Sequence, residues 1–279
     1  MSSERALVVL TPAESKRLIA KAVAALPIVR RALENGRVAI AGGTTNAFVA
    51  EEILGRRLEE KAAYTAGIVT EGICCVTPAD GRVPPFFLEK GSPQNVRLGE
   101  FIEGFTADDV FIKGANAVDT QGNVGVLVGS ADGGTVGTAL SRVTAMGAHY
   151  VAPVGLEKLV PSVPEAARLT GVGRWRYSMG MGVGLFCVPT AKVLTEVEAF
   201  CILAGVRAIL TAAGGVGGSE GAVILTLEGP ADAVEKGFRI AESVKGEPPI
   251  APRRRACTPD CRYSCDRRTK SMEQGENQA

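Results

Sequence analysis

The chain of 279 residues holds a single histidine, His149. Any Ser-His-Asp triad must be built on that residue, and a metal site made of several histidines is excluded. No apolar run approaches the ~20 residues of a membrane helix. Neither sign of charge prevails. The 31 Lys and Arg face 30 Asp and Glu, for a net charge of +1, which makes no case for nucleic acid as a partner. The opening stretch MSSERALVVLTPAESKR lacks the cationic start and small-residue cleavage site of a secretory leader. The seven cysteines do not read as a disulfide framework. Cys74 and Cys75 are adjacent, and Cys187 and Cys201 stand alone among apolar residues, which is reduced, cytoplasmic usage. What is there is 46% hydrophobic and 22% charged, a globular composition with one sizeable core or two modest ones.

The organising stretch is Arg37 to Leu54, RVAIAGGTTNAFVAEEIL. Val38 to Ala41 reads as a buried strand and Gly42-Gly43 as a turn. From Ala47 onward, Phe48, Val49, Ile53 and Leu54 fall at helical spacing. Such a junction aims unpaired helix N–H groups, and the positive end of the dipole, beyond the turn. Gly42, Gly43, Thr44, Thr45 and Asn46 are therefore candidate phosphate contacts; the competing reading is a plain βα turn with a Thr or Asn cap. Upstream, Thr11-Pro12-Ala13-Glu14 is a capping box for a helix that Pro27 kinks or splits. Downstream, apolar runs near Ala66–Val76 (broken by Glu71-Gly72), Val83–Leu88, Asp109–Ile112, Val124–Val128 and His149–Val154 alternate with turn signals and helical patterns. This order predicts an α/β fold, with a three-layer α/β/α domain built on a mostly parallel sheet at residues 7–171. Residues 172–246 read as a smaller α+β unit of split-βαβ type, whose strands could instead extend the main sheet. Residues 247–279 turn to Pro, Arg and polar side chains and read as a disordered tail.

GGTTNAF after a strand, followed later by DDVFIKGANAVDTQGNVGVLVGSADGG, resembles ribose-5-phosphate isomerase and methylthioribose-phosphate isomerase. Both belong to the wider NagB/RpiA/CoA-transferase-like superfamily, and the resemblance runs over roughly Arg37 to Ala167. HYVAPVGLEKLVPSVPEA, from His149, further resembles the LUD family of lactate-utilisation proteins. The resemblance implies a phosphorylated or coenzyme-A-type ligand at the Gly-Gly-Thr-Thr turn, with Lys113, Gly114, Asn116, Gly133 and Gly134 facing it. It also implies either proton transfer on a sugar phosphate or acyl/CoA transfer. Where the isomerases resemble DGADEVD, this chain runs from Lys113 to Asp119, so Lys113 and Asn116 replace two carboxylates. An amide takes no proton, and a lysine serves as base only when burial lowers its pKa. Asp119 and Asp132 remain as candidate bases or hydroxyl-binding groups, although aspartate also favours turns for local reasons. Coenzyme A transferases of the superfamily use a strand-end glutamate to form a thioester. Glu71 and Glu157 are the candidates, and each also reads as a solvated strand-end carboxylate.

Two stretches stay outside that scheme. The loop Gly214 to Gly221 is a flap over a ligand or a plain mobile connection, and it lacks the lysine and serine of a Walker loop. Cys257, Cys261 and Cys265 recur at every fourth residue among arginines. Three thiolates could ligate zinc or an iron–sulfur cluster, but a fourth ligand is missing; otherwise the run is a reactive or inert tail. The expectation is thus a cytoplasmic binder of a small phosphorylated or CoA-type metabolite, divergent from sugar-phosphate isomerases or acyl transferases. The alternative is a non-catalytic ligand sensor, or a LUD-like accessory protein of redox metabolism. The residues name no cofactor, and a homo-oligomer is left open.

Overall fold

The structure, a computed structural model, describes residues 3–256. Strand β1 (Glu4–Leu10) leads into α1 (Pro12–Ala25). The Glu14 carboxylate accepts the Thr11 amide at 2.9 Å and the Thr11 hydroxyl accepts the Glu14 amide, so the capping box forms in full. Pro27 splits the following helical pattern. Leu26 before it is driven out of the helical region, to ψ 130, and α2 (Pro27–Asn35) restarts with the proline at its first position. Strand β2 (Arg37–Ile40) then passes through Ala41-Gly42-Gly43 into α3 (Thr44–Leu54).

A 3-10 turn at Lys61–Tyr64 precedes the hairpin of β3 (Gly67–Thr70) and β4 (Ile73–Val76). Glu71 and Gly72 between them both have positive φ, as a two-residue primed hairpin turn requires. Lys90-Gly91 repeats the device between β5 (Phe86–Glu89) and β6 (Ser92–Gln94). Next come α4 (Leu98–Glu103), β7 (Val110–Ile112), β8 (Ala117–Val118), β9 (Val124–Val128), α5 (Gly134–Met146) and β10 (His149–Pro153). A 3-10 turn at Leu156–Lys158 and helix α6 (Val163–Leu169) lead to β11 (Gly184–Val188) and β12 (Lys192–Leu194). The described chain closes with α7 (Glu196–Ala204), β13 (Arg207–Ala213), β14 (Val223–Gly229) and α8 (Ala231–Ser243).

The fold is mixed α/β with several sheets. The largest has the order β12-β10-β7-β2-β5-β6. Its first four strands run parallel, while β5 and β6 join antiparallel. Antiparallel pairing also builds β1-β14-β13, β11-β9-β8 and the β3-β4 hairpin. The expected predominance of parallel pairing is therefore limited to four strands. Short turns such as Glu71-Gly72 and Lys90-Gly91 can only return a strand antiparallel to itself. Strands after Gly171 do not gather into one sheet of their own: β12 lies beside β10, β11 beside β9, and β14 between β1 and β13.

Alternation along the central strands divides the interior. Val38, Ile40, Val110, Ile112 and Val151 point into a core shared with Leu18, Phe48 and Phe200. Ala39, Phe111, Tyr150 and Ala152 point into a second core with Phe101, Phe105 and Val143. Burial on both faces explains why these strands read as unbroken apolar runs. The stretch after α8 is pinned as well. Glu247 and Glu52 each accept from the buried Arg17 guanidinium at 2.8 Å, Glu51 accepts from its other arm, and the guanidinium lies 4.7 Å from the Phe48 ring centre. Residues 247–256, read from composition as part of a tail, are thus held by ion pairs that a polar, arginine-rich composition conceals.

Candidate functional site

Because β2, β7, β10 and β12 run parallel, their carboxyl ends open at one edge, where ligands of open α/β sheets collect. The ladder continues past the strands there. Ala41 donates to Ile112 at 3.0 Å, Lys113 to Val151 at 3.0 Å and Val154 to Leu194 at 2.9 Å. The double glycine is shaped first by a protein neighbour. The Gly43 amide donates to the Tyr64 carbonyl at 2.7 Å, and a Cβ on Gly42 would stand 3.1 Å from that oxygen. One of the two expected anion-binding amides is therefore already engaged. Asn46 is fully buried and braces the junction. Its amide nitrogen donates to Ala41 at 2.6 Å and Ile112 at 3.2 Å, and its oxygen accepts the Gly114 amide at 3.2 Å. Thr45 is buried too, leaving Thr44 as the half-exposed side chain of the turn. No described side chain caps α3, so its first-turn amides keep the open valence of a helix start.

Lys113 crosses to this turn from the end of β7, and its ammonium donates to the Gly42 carbonyl at 2.9 Å. Burial, reinforced by the like charge of Lys158, lowers it to about 8. A cation therefore sits beside the positive end of a helix. Glu157 follows β10, with Lys16 of α1 at 3.4 Å and Lys158 at 3.6 Å. Burial, and secondly Lys158, lower the Lys16 ammonium. Glu196, one residue past Thr195 at the end of β12, is fully buried. Burial first, and then the charge of Glu157, push its carboxyl up to about 7, although the Leu156 amide favours the ionised form. The Leu156 amide donates to one of its oxygens at 2.9 Å. The other oxygen, Glu157 Oε2 and the Ser15 hydroxyl are buried with no hydrogen-bond partner among the described residues. Gly221 brings the Gly214–Gly221 loop against this wall: a Cβ there would meet Pro12 at 3.3 Å and Glu157 at 3.7 Å.

The remaining sequence candidates lie elsewhere. Asp119 accepts from the amides of Gln121, Asn123 and Val163, each at 3.0 Å. Against burial, those bonds and the Asn123 side chain hold its carboxyl below the usual range. It closes a turn and starts α6, the local role open to an aspartate. Asn116 accepts the Leu127 amide at 3.0 Å. Asp132 is exposed and accepts from Ser130 at 2.6 Å and from the Gly134 amide at 2.8 Å, while Gly133 (φ +75) begins α5. Glu71 occupies the β3–β4 turn, 3.0 Å from Arg254. His149 starts β10 with its amide on the Asp109 carbonyl at 2.9 Å. Cys257, Cys261 and Cys265 lie outside the described residues.

The structure thus brings Gly42, Gly43, Thr44, Lys113 and Gly114 to one strand-end edge. It adds Lys16 and Glu196, which sequence reasoning missed. Lys16 reads as the solvated face of α1, and Glu196 as an ordinary first-turn acid in the Thr195 capping box. Among the described residues, no cluster of His, Cys, Asp and Glu has the geometry of a metal site, and no helix is long and apolar enough to cross a membrane. Comparison with protein families, with curated proteins and with solved structures returns no match.

Proposed function

We propose that this chain binds a phosphorylated or coenzyme-A-type metabolite where Gly42 to Thr44 meet Lys113. The observation that carries the reading is the contact between the Lys113 ammonium and the Gly42 carbonyl, 2.9 Å long, at a helix start no side chain caps. Two positive ends side by side repel each other, and an anion between them turns that repulsion into attraction. The same reading takes the sheet as a divergent NagB/RpiA/CoA-transferase-like α/β/α core. Its support is the parallel set β12-β10-β7-β2, buried on both faces, with the glycine turn at the end of β2. The free thiols Cys74, Cys75, Cys187 and Cys201 suit a reducing, cytoplasmic setting.

Between the two chemistries, acyl or CoA transfer is favoured over sugar-phosphate isomerisation. Asp119 is committed to three backbone amides, whereas Glu157 stands at a strand end between two lysines. A non-catalytic sensor is the second reading, favoured by the lysine pairing that already engages Glu157. A thermal-shift panel of sugar phosphates, CoA esters and nucleotides tests the binding, since a ligand of the native state raises its stability. The parent chain is expected to shift with at least one phosphate-bearing ligand, and less so above about pH 8, where Lys113 loses its charge. Gly43→Asp, which sets a carboxylate against the anion, is expected to abolish the shift. Equal shifts for variant and parent would sink the proposal. Borohydride trapping after incubation with an acyl-CoA separates a glutamyl thioester from simple binding.

A further inference from the structure

From Ala166 to Thr195 the chain runs for thirty residues without an aspartate or glutamate, although acids make up 30 of its 279 residues. Within that stretch, from the end of α6 to β11, apolar side chains gather at the surface. Five of the fifteen large apolar side chains exposed among the described residues fall here: Leu169, Val172, Trp175, Tyr177 and Met179. Single exposed apolar residues are ordinary, but such a concentration marks a contact surface. The cations of the loop are Arg168, Arg174 and Arg176, all exposed, and no carboxylate among the described residues pairs with any of them. The loop is nonetheless held in one shape. The Trp175 indole N–H donates to the Val183 carbonyl at 2.7 Å, and a Cβ on Gly182 would stand 2.9 Å from the ring. Arg174 donates to the Arg168 carbonyl at 3.1 Å. The Cys74 amide donates to the Met179 carbonyl at 3.0 Å and the Met181 amide to the Cys74 carbonyl at 2.8 Å, so β4 fixes the far end. The Arg176 guanidinium rests 5.3 Å from the Tyr177 ring centre.

Exposed tryptophan, tyrosine, methionine and arginine, with lysine and acids missing, make the composition of a protein–protein interface core. We infer that this loop docks an acidic segment of a partner protein, whose carboxylates meet Arg168 and Arg176 while its apolar side chains cover Trp175 and Tyr177. A guanidinium fork takes a carboxylate through two parallel hydrogen bonds. Other anionic partners fit less well. A lipid surface accepts lysine as readily as arginine. It also uses the indole N–H at headgroup level, whereas Trp175 has turned its own toward Val183. A single-stranded nucleic acid stacks on aromatic rings but has no use for Leu169, Val172 or Met179. Because the loop is already ordered, docking costs little backbone and side-chain entropy. Nothing here draws on the Gly42 turn.

Trp175 is the only tryptophan of the chain, so tryptophan fluorescence reports on this loop alone. The full chain is titrated with a helical peptide of glutamate, leucine and alanine, and with a counterpart carrying glutamine in place of glutamate. The acidic peptide is expected to move the emission to shorter wavelength and to saturate, with affinity falling as salt rises. The glutamine peptide should bind about tenfold more weakly, or not at all. Arg176→Ala and Tyr177→Ser, both at exposed positions, should each cost about tenfold in affinity, while Arg239→Ala on α8 should change nothing. Phosphatidylserine vesicles and oligo-uridine serve as the competing anions. An emission spectrum that the acidic peptide leaves unchanged would overturn the inference. So would equal binding of the glutamine peptide, parental affinity in Arg176→Ala and Tyr177→Ser, or tighter binding of vesicles or oligo-uridine than of the acidic peptide.

Discussion

Glu196 has one carboxyl oxygen on the Leu156 amide and the other with no hydrogen-bond partner among the described residues. Burial, and behind it Glu157, raise its carboxyl from 4.5 to about 7. As pH climbs through that window the unfolded chain loses the proton first. The folded chain then holds more protons, and stability falls with rising pH. Glu196→Gln keeps an oxygen for Leu156 and cannot ionise. We expect parent and variant to melt together near pH 4.5, and the variant to melt higher at about pH 8. Melting curves displaced equally at both pH values would show that this carboxyl does not titrate as described. None of this was legible beforehand. In sequence, Glu196 is one of two acids in a helix first turn; what sets it apart is β12 lying beside β10, which delivers Glu157 to it. Gly42-Gly43 and Lys113 were legible, because a glycine pair between an apolar run and a helical pattern fixes a strand end.

Among the elements, α1 carries the most connections. Arg17 on it reaches Glu52 and Glu247, each at 2.8 Å, together with Glu51. Arg57 and Lys61 complete the set, at 3.3 Å from Glu247 and 3.2 Å from Glu51. The guanidinium and the Glu51 carboxylate are almost fully buried. Arg17→Met would keep the packing on Phe48 but leave buried carboxylates short of a partner, at a cost of about 3–5 kcal/mol. Urea unfolding measures it, and a loss below about 1 kcal/mol, the worth of an exposed pair, would mean that the network is solvated. The start of α1 and its end at Pro27 were readable from local chemistry. Arg17 was not, because Glu247 is 230 residues away and helical periodicity marks Arg17 only as a charge. The hairpins at Glu71-Gly72 and Lys90-Gly91 were half readable: the breaks showed, and the pairing across them did not.

Over the whole molecule, local and distant pairings divide the labour. The β3–β4 hairpin has few apolar contacts, and Val69 on it is 65% exposed. Strand β14 pairs on both sides and buries Leu225 and Leu227 completely. Amide exchange should therefore release the hairpin by local opening, while β1 and β14 exchange together at the rate of global unfolding. Hairpin amides as slow as those of β14 would contradict this division. The sequence reading placed β14 in a separate C-terminal unit, because strand periodicity names a strand and not its neighbour. The pairing of β1 with β14 also carries a temporal consequence. Arg5 and Glu228 meet although they stand 223 positions apart in the chain. A strand that leaves the ribosome early thus waits, with Leu10 and Val8 bare, until a partner made far later emerges. Chaperones would find their longest-lived grip there.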